Sequence, residues 1–177
     1  MPIVYDKMSH SVLGMVFAAV QDGELVRVSF SLPEDVFQTG LEAMFRAPAV
    51  HQPGAAHDAL AQIYEYLQGE RTAFDLPLNF RHLTEFRQRV LQATMEIPYG
   101  QRTTYGDLAR KVGSPRGARA VGGAMAHNPL PLVIPCHRVL AADGSLHGYS
   151  GGHGLETKAW LLELEARTLA RNGENWL

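Results

Sequence analysis

The segment Thr104-Tyr105-Gly106-Asp107-Leu108-Ala109-Arg110-Lys111-Val112-Gly113-Ser114-Pro115-Arg116-Gly117-Ala118-Arg119-Ala120-Val121-Gly122-Gly123-Ala124-Met125-Ala126-His127-Asn128-Pro129 contains two helix starts and two helix stops. Thr104 with Asp107 three residues later is a capping box, and Gly113 supplies a stop after the apolar pair Leu108 and Val112. Ser114-Pro115 predicts a second helix starting at once, with a cap followed by proline at the first helical position. That helix runs to about Ala126 and ends at Asn128-Pro129. Two short helices joined at Gly113-Ser114 describe a helix-turn-helix. Seven of the ten positions from Gly117 to Ala126 are Gly or Ala, although each glycine costs about 1 kcal/mol relative to alanine inside a helix. So smooth a surface serves either close helix–helix packing or close approach to a nucleic-acid backbone. Arg116 and Arg119 are its large projections.

The charge pattern favours the second use. Of the 177 residues, 1–80 hold 4 Lys/Arg against 10 Asp/Glu, whereas 81–139 hold 9 against 3. A basic block between acidic ends suits a polyanion, with phosphate the leading candidate. The longest apolar run, Val12 to Val20, is nine residues, against the roughly 20 of a spanning helix. The N-terminus lacks the basic stretch and apolar core of a signal peptide. One cysteine excludes an internal disulfide and a multi-Cys zinc site. His10, His51, His57 and His82 are scattered, so no metal is expected in a soluble, cytoplasmic protein with no membrane partner.

Ahead of the basic block the pattern is α+β. Val12–Val20 and Leu25–Phe30 flank Asp22-Gly23, a hairpin signal. A helix from Pro33 to about Phe45 presents Val36, Leu41 and Met44, and a loop spans Ala47 to Gly54. A second helix, carrying Leu60, Ile63, Tyr64 and Leu67, stops at Gly69, and Thr72–Leu78 reads as a strand. Thr84 caps a further helix with Phe86, Val90 and Leu91 on one face, broken at Ile97-Pro98-Tyr99-Gly100. Near the C-terminus, Leu155, Ala159, Leu162, Ala166 and Leu169 recur at helical spacing.

The single cysteine stands in Leu132-Val133-Ile134-Pro135-Cys136-His137-Arg138-Val139. An apolar run leading into a proline turn places the thiol at the end of a buried segment. His137 is the usual base for making a thiolate, and Arg138 adds positive potential that lowers a thiol pKa. Adjacent side chains of a strand point to opposite faces, so Cys136 and His137 cooperate only if the chain turns there.

Pro135-Cys136-His137-Arg138-Val139, with Asn128-Pro129 before it and Gly148-Tyr149-Ser150-Gly151-Gly152 after it, resembles the O6-alkylguanine-DNA alkyltransferases. The likeness extends through Ile97-Pro98-Tyr99-Gly100, Thr104-Tyr105, Arg119 to Met125 and the closing helix from Lys158 to Glu165. It is strong from about Tyr64 to Glu165. The resemblance implies an RNase H-like N-terminal domain over 1–80 and a helical, winged-helix-like domain over 81–177 carrying the helix-turn-helix.

It also implies transfer of an alkyl group from O6 of guanine in DNA to Cys136, once per molecule, with O4-alkylthymine as a second candidate substrate. By the same resemblance His137 takes the thiol proton through a water and Glu165 orients His137. Asn128 braces the turn before the cysteine segment, and no cofactor is needed. The target nucleotide must be flipped out of the duplex. Arg119 would fill its place in the stack, and Tyr105 would rotate the phosphate and bond the leaving base. Thr104, Arg116, Ala120, Gly123 and Arg87 would contact DNA from the minor groove, with the protein a monomer on double-stranded DNA. Met125, Val139, Tyr149, Ser150, Gly151 and Lys158 would form the base and alkyl pocket. Two other functions are weighed against this one. A non-catalytic lesion-binding relative would lack the reactive cysteine, and an ordinary cysteine hydrolase gives no reason for the basic helix pair.

Overall fold

The computed structural model describes residues 2–173; Met1 and 174–177, the last part of the expected 81–177 span, lie outside the described residues. Strands β1 (Ile3–His10), β2 (Gly14–Gln21) and β3 (Glu24–Phe30) form an antiparallel meander, and β4 (Ala49–His51) joins parallel to β1 after helix α1 (Glu34–Phe45). The sheet order is β3-β2-β1-β4. Asp22 at φ 53° and Gly23 at φ 81° give the β2–β3 turn the two left-handed residues that a tight hairpin requires. In β2, Val16-Phe17-Ala18-Ala19 are all fully buried because both faces are covered. Phe17 and Ala19 pack with Phe37 and Leu41 of α1, while Val16 and Ala18 face the remainder of the molecule. A strand covered on both sides reads as a continuous apolar run.

Several expected faces and limits are corrected. The α1 side chains that pack inward are Phe37 and Leu41, whereas Val36 and Met44 are 55% and 42% exposed. The expected loop over 47–54 contains β4. Helix α2 (His57–Leu67) ends as expected before Gly69, at φ 69°, but Tyr64 points to solvent and Tyr66 takes the buried place. Thr72–Leu78 is no strand. It is held at one bridge between Leu78 and Leu25, with the Leu25 N–H donating to Pro77 O at 2.7 Å.

Helix α3 (Glu85–Met95) is capped by Thr84, and α4 (Tyr105–Lys111) by Thr104, whose hydroxyl accepts from the Asp107 N–H at 3.0 Å. Helix α5 (Ala118–Ala126) begins later than Ser114-Pro115 suggests. Residues 114–117 form a turn closed by the Gly117 N–H on Ser114 O at 2.7 Å. A Cβ at Gly117 would stand 2.9 Å from the backbone oxygen of Ser114, so any other residue would force this turn to shift. Short strands β5 (Thr103–Thr104) and β6 (Val139–Leu140) pair in parallel beside the helices.

Helix α6 (Leu155–Arg171) closes the described chain. Its inward face is Thr157, Lys158, Leu161, Leu162, Leu164, Glu165 and Thr168, so four of seven buried positions are polar. Leu155, Ala159 and Ala166, expected inside, are exposed. The apolar stripe missed this face because the helix buries its polar groups against the cysteine segment. One apolar cluster runs from the sheet and α2 into α3, α4, α5 and α6, so the two halves share a core.

Candidate active site and nucleic-acid interface

The cysteine segment bends where the proline enforces it. Pro135 lies at φ −80°, ψ 62°, and the Cys136 N–H donates to Ile134 O at 2.8 Å, an inverse γ-turn. Cys136–Arg138 continue as one turn of 3-10 helix, so Cys136 and His137 escape the alternation that a strand would impose. Asn128 holds the bend by donating from Nδ2 to Ile134 O at 2.9 Å and accepting the Leu130 N–H at 3.0 Å.

Behind the thiol lies a buried ionic cluster. Glu165 Oε1 accepts from Tyr66 OH at 2.7 Å and from Arg138 Nη2 at 2.9 Å, and lies 2.8 Å from His137 Nε2. Its other oxygen accepts the Gly100 N–H at 2.9 Å. Arg138 also donates to Ile97 O at 2.6 Å. Burial alone would raise the Glu165 pKa, but the bonds to His137 and Arg138 and the Arg138 charge outweigh it and hold the carboxyl at about 2. Burial pushes the His137 pKa down against the pull of Glu165. Burial likewise pushes the Cys136 thiol up, opposed by Asn128 and the Lys158 charge. The resting pair is therefore neutral thiol and neutral imidazole. His137 Nδ1, also buried, has no partner among the described residues.

Arg138 was expected to raise the potential at the thiol. It is neutralised on Glu165 instead, and the cation that acts on Cys136 is Lys158 of α6. Lys158 is fully buried and donates to Val139 O at 2.6 Å and His147 O at 2.7 Å, joining β6 to the 147–152 loop. Its ammonium stands 5.7 Å from the ring centre of Tyr105, whose hydroxyl donates to His147 O at 2.9 Å.

Cys136 lines a cavity of about 600 Å³ together with Met125, Tyr149, Ser150, Gly151 and Arg87. Val139 and Lys158, expected in the pocket, do not line it; both are buried, and the Lys158 ammonium donates to the Val139 carbonyl. The Ser150 hydroxyl donates to Ala126 O at 3.1 Å and ties the pocket wall to α5. Arg116, in the turn before α5, and Arg119, Ala120 and Gly123 on α5 are exposed. A Cβ on Gly122 or Gly123 would meet nothing within 4 Å, so these glycines do not serve helix packing. Thr104 is occupied as the α4 cap, with its hydroxyl donating to Asp107 Oδ2 at 2.6 Å. Sequence reasoning missed Tyr66 and the Gly100 N–H; the Tyr66 signal, an aromatic beside the helix stop at Gly69, reads as ordinary core.

Fold and site together define a class: a buried cysteine on a cavity wall, beside a helix pair with exposed arginines. A family described as 6-O-methylguanine DNA methyltransferase, DNA binding domain, matches residues 85–167. The methylated-DNA–protein-cysteine methyltransferase of Mycobacterium bovis is 45% identical over 128 residues, 71% of this chain and 76% of that protein. The constitutive enzyme of that name from Bacillus subtilis is 37% identical over 91% of this chain and 94% of its own. The crystal structure of Mycobacterium tuberculosis OGT in complex with DNA superposes with a TM-score of 0.79 and 39% identity, covering 93% of this chain and 94% of that one. The chain belongs to the methylated-DNA–protein-cysteine methyltransferase family.

Proposed function

We propose that this protein repairs O6-alkylguanine in DNA by taking the alkyl group onto Cys136. The observation that carries the reading is Cys136 on a cavity wall, directly before His137, whose Nε2 lies 2.8 Å from a carboxylate held at about 2. As the alkyl carbon approaches, the thiol proton passes to His137 Nδ1 through a water. A sulfur–carbon bond forms, the carbon–O6 bond breaks, and its electron pair stays with guanine. Guanine takes up a proton from solvent and the His137 imidazolium returns its proton to solvent, so charge balances. A thiol suits displacement at carbon because sulfur is soft and polarisable. The thioether is not hydrolysed, which makes each molecule act once.

DNA is the partner, met as a duplex through its minor groove, by one protein molecule. The exposed small-residue face of α5 with Arg116 and Arg119 supports shallow docking. Arg119 then fills the stack behind a flipped nucleotide, and Tyr105, freed from His147, bonds the leaving base. Arg87, on the cavity rim, takes a phosphate. The division at residue 80 separates an RNase H-like sheet unit, supported by the antiparallel β3-β2-β1 with a parallel β4, from a winged-helix-like unit, supported by β5–β6 beside the helix pair. Intact mass after incubation with O6-methylguanine DNA tests the assignment. One methyl, about 14 Da, is expected on Cys136 and none in Cys136→Ser. Repeated turnover, or a label elsewhere, would overturn it.

A further inference from the structure

Tyr66 comes from α2, 71 positions before His137, yet its hydroxyl lies in the same cluster, 2.7 Å from Glu165 Oε1 and 3.1 Å from His137 Nε2. Among the described residues no other side chain of the first 80 bonds to either group. The phenol is fully buried, and burial together with the Glu165 charge keeps it protonated.

Its single proton has one destination. The shorter contact is to an ionised carboxylate, so the hydroxyl hydrogen goes to Glu165, as charge-assisted bonds are the stronger ones. What Tyr66 then turns toward His137 is an oxygen lone pair. Nε2 therefore faces two acceptors, Glu165 Oε1 at 2.8 Å and Tyr66 OH at 3.1 Å, and can face them only as N–H. The lone pair of the neutral ring is left on Nδ1, the buried nitrogen with no partner.

We infer that Tyr66 is a positioning residue for alkyl transfer, holding His137 in the Nε2–H tautomer and fixing its ring plane so that Nδ1 is the base. Two acceptors off one N–H restrain rotation of the ring as well as its tautomer, which a carboxylate alone does less well. The sheet unit also reaches the site by a second route, the Val28 N–H donating to Pro129 O at 2.9 Å beside Asn128. The N-terminal half thus completes the reactive centre. The role in transfer rests on the function proposed above; the tautomer assignment does not.

The experiment combines 15N NMR of His137 with single-turnover kinetics of the full chain. In the wild-type protein the imidazole should be neutral with its proton on Nε2; a proton on Nδ1 overturns the inference whatever any variant does. In Tyr66→Phe the His137 signals should move toward a mixture of tautomers while the rest of the spectrum keeps the fold. Transfer should slow about tenfold, equally on O6-methylguanine duplex and on free O6-benzylguanine, the size expected for one bond to a charged network. An unchanged tautomer with a slower rate would make Tyr66 merely structural, and an unchanged rate would remove it from the reaction. A wild-type protein whose Cys136 takes no alkyl group at all would overturn the proposed function and leave the NMR result standing.

Discussion

Arg138 Nε reaches both carboxylate oxygens of Glu165, at 3.0 and 3.1 Å, so the residue after His137 is bound to the same buried carboxylate as His137 itself. Glu165 therefore holds His137 and the fold at once. Its pKa in the folded protein, about 2, lies below its ordinary 4.5, so the carboxylate contributes stability that is fully present above pH 4.5 and is lost as pH falls toward 2. A shift of that size is on the order of 3 kcal/mol. Glu165→Gln should flatten the loss of stability between pH 4.5 and 2, read by acid unfolding, and lower stability at neutral pH by leaving Arg138 unpaired. Transfer should slow, with DNA affinity nearly intact. A variant reacting at the wild-type rate would remove Glu165 from the proton path.

Lys158 gives a prediction with an internal control. The Cys136 thiol is raised by burial and lowered by the Lys158 charge, so Lys158→Met should raise it further. The rate of alkylation rises with pH as the thiolate fraction grows, and the variant should need a higher pH to reach the same rate, running on the order of tenfold slower at pH 7. Lys158→Arg keeps the charge and should stay near the wild-type profile. Equal losses in both would mean that the bonds to Val139 and His147, rather than the charge, are what matter.

Gly123 separates folding from docking. It lies in the α5 interior, exposed, with open space where a Cβ would go. Gly123→Ala should therefore stabilise the protein by up to about 1 kcal/mol, seen as a higher Tm. If this face approaches DNA closely, the same methyl should weaken binding to a lesion-bearing duplex and leave reaction with O6-benzylguanine unchanged. Tighter or equal DNA binding would move the interface off this face.

These predictions depend unequally on what the chain's pattern reveals. The caps at Thr84 and Thr104, the stops at Gly69 and Gly113 and the hairpin at Asp22-Gly23 are local chemistry, and each sits where its residues put it. The proline bend that joins Cys136 to His137 is local too. Faces were harder to read. Of Val36, Leu41 and Met44 only Leu41 is covered, with Phe37 beside it, because the sheet decides which apolar side chains of α1 are buried. In α6 the apolar positions misled because Lys158, Glu165 and Thr168 turn inward to long-range partners. Tyr66 depends on a contact 99 positions away, at Glu165, which no local pattern encodes.

Arg119 separates encounter from flipping. It is exposed on α5, it makes no ion pair among the described residues, and its neighbours Ala118 and Ala120 leave it the long side chain of that turn. If it fills the stack, it offsets an unstacking cost of roughly a few kcal/mol, and removing it should affect extrusion more than first contact. If Arg116 contacts phosphate, it should behave differently: its loss should weaken binding to any sequence and lower the salt slope by about 1. Arg119→Ala should lose most of its repair rate on duplex DNA, with a salt slope that changes little, yet react almost normally with free O6-benzylguanine, which needs no flipping. Rates that fall together on both substrates would place Arg119 in support of the pocket, and a slope reduced as in Arg116→Ala would make it one more phosphate contact.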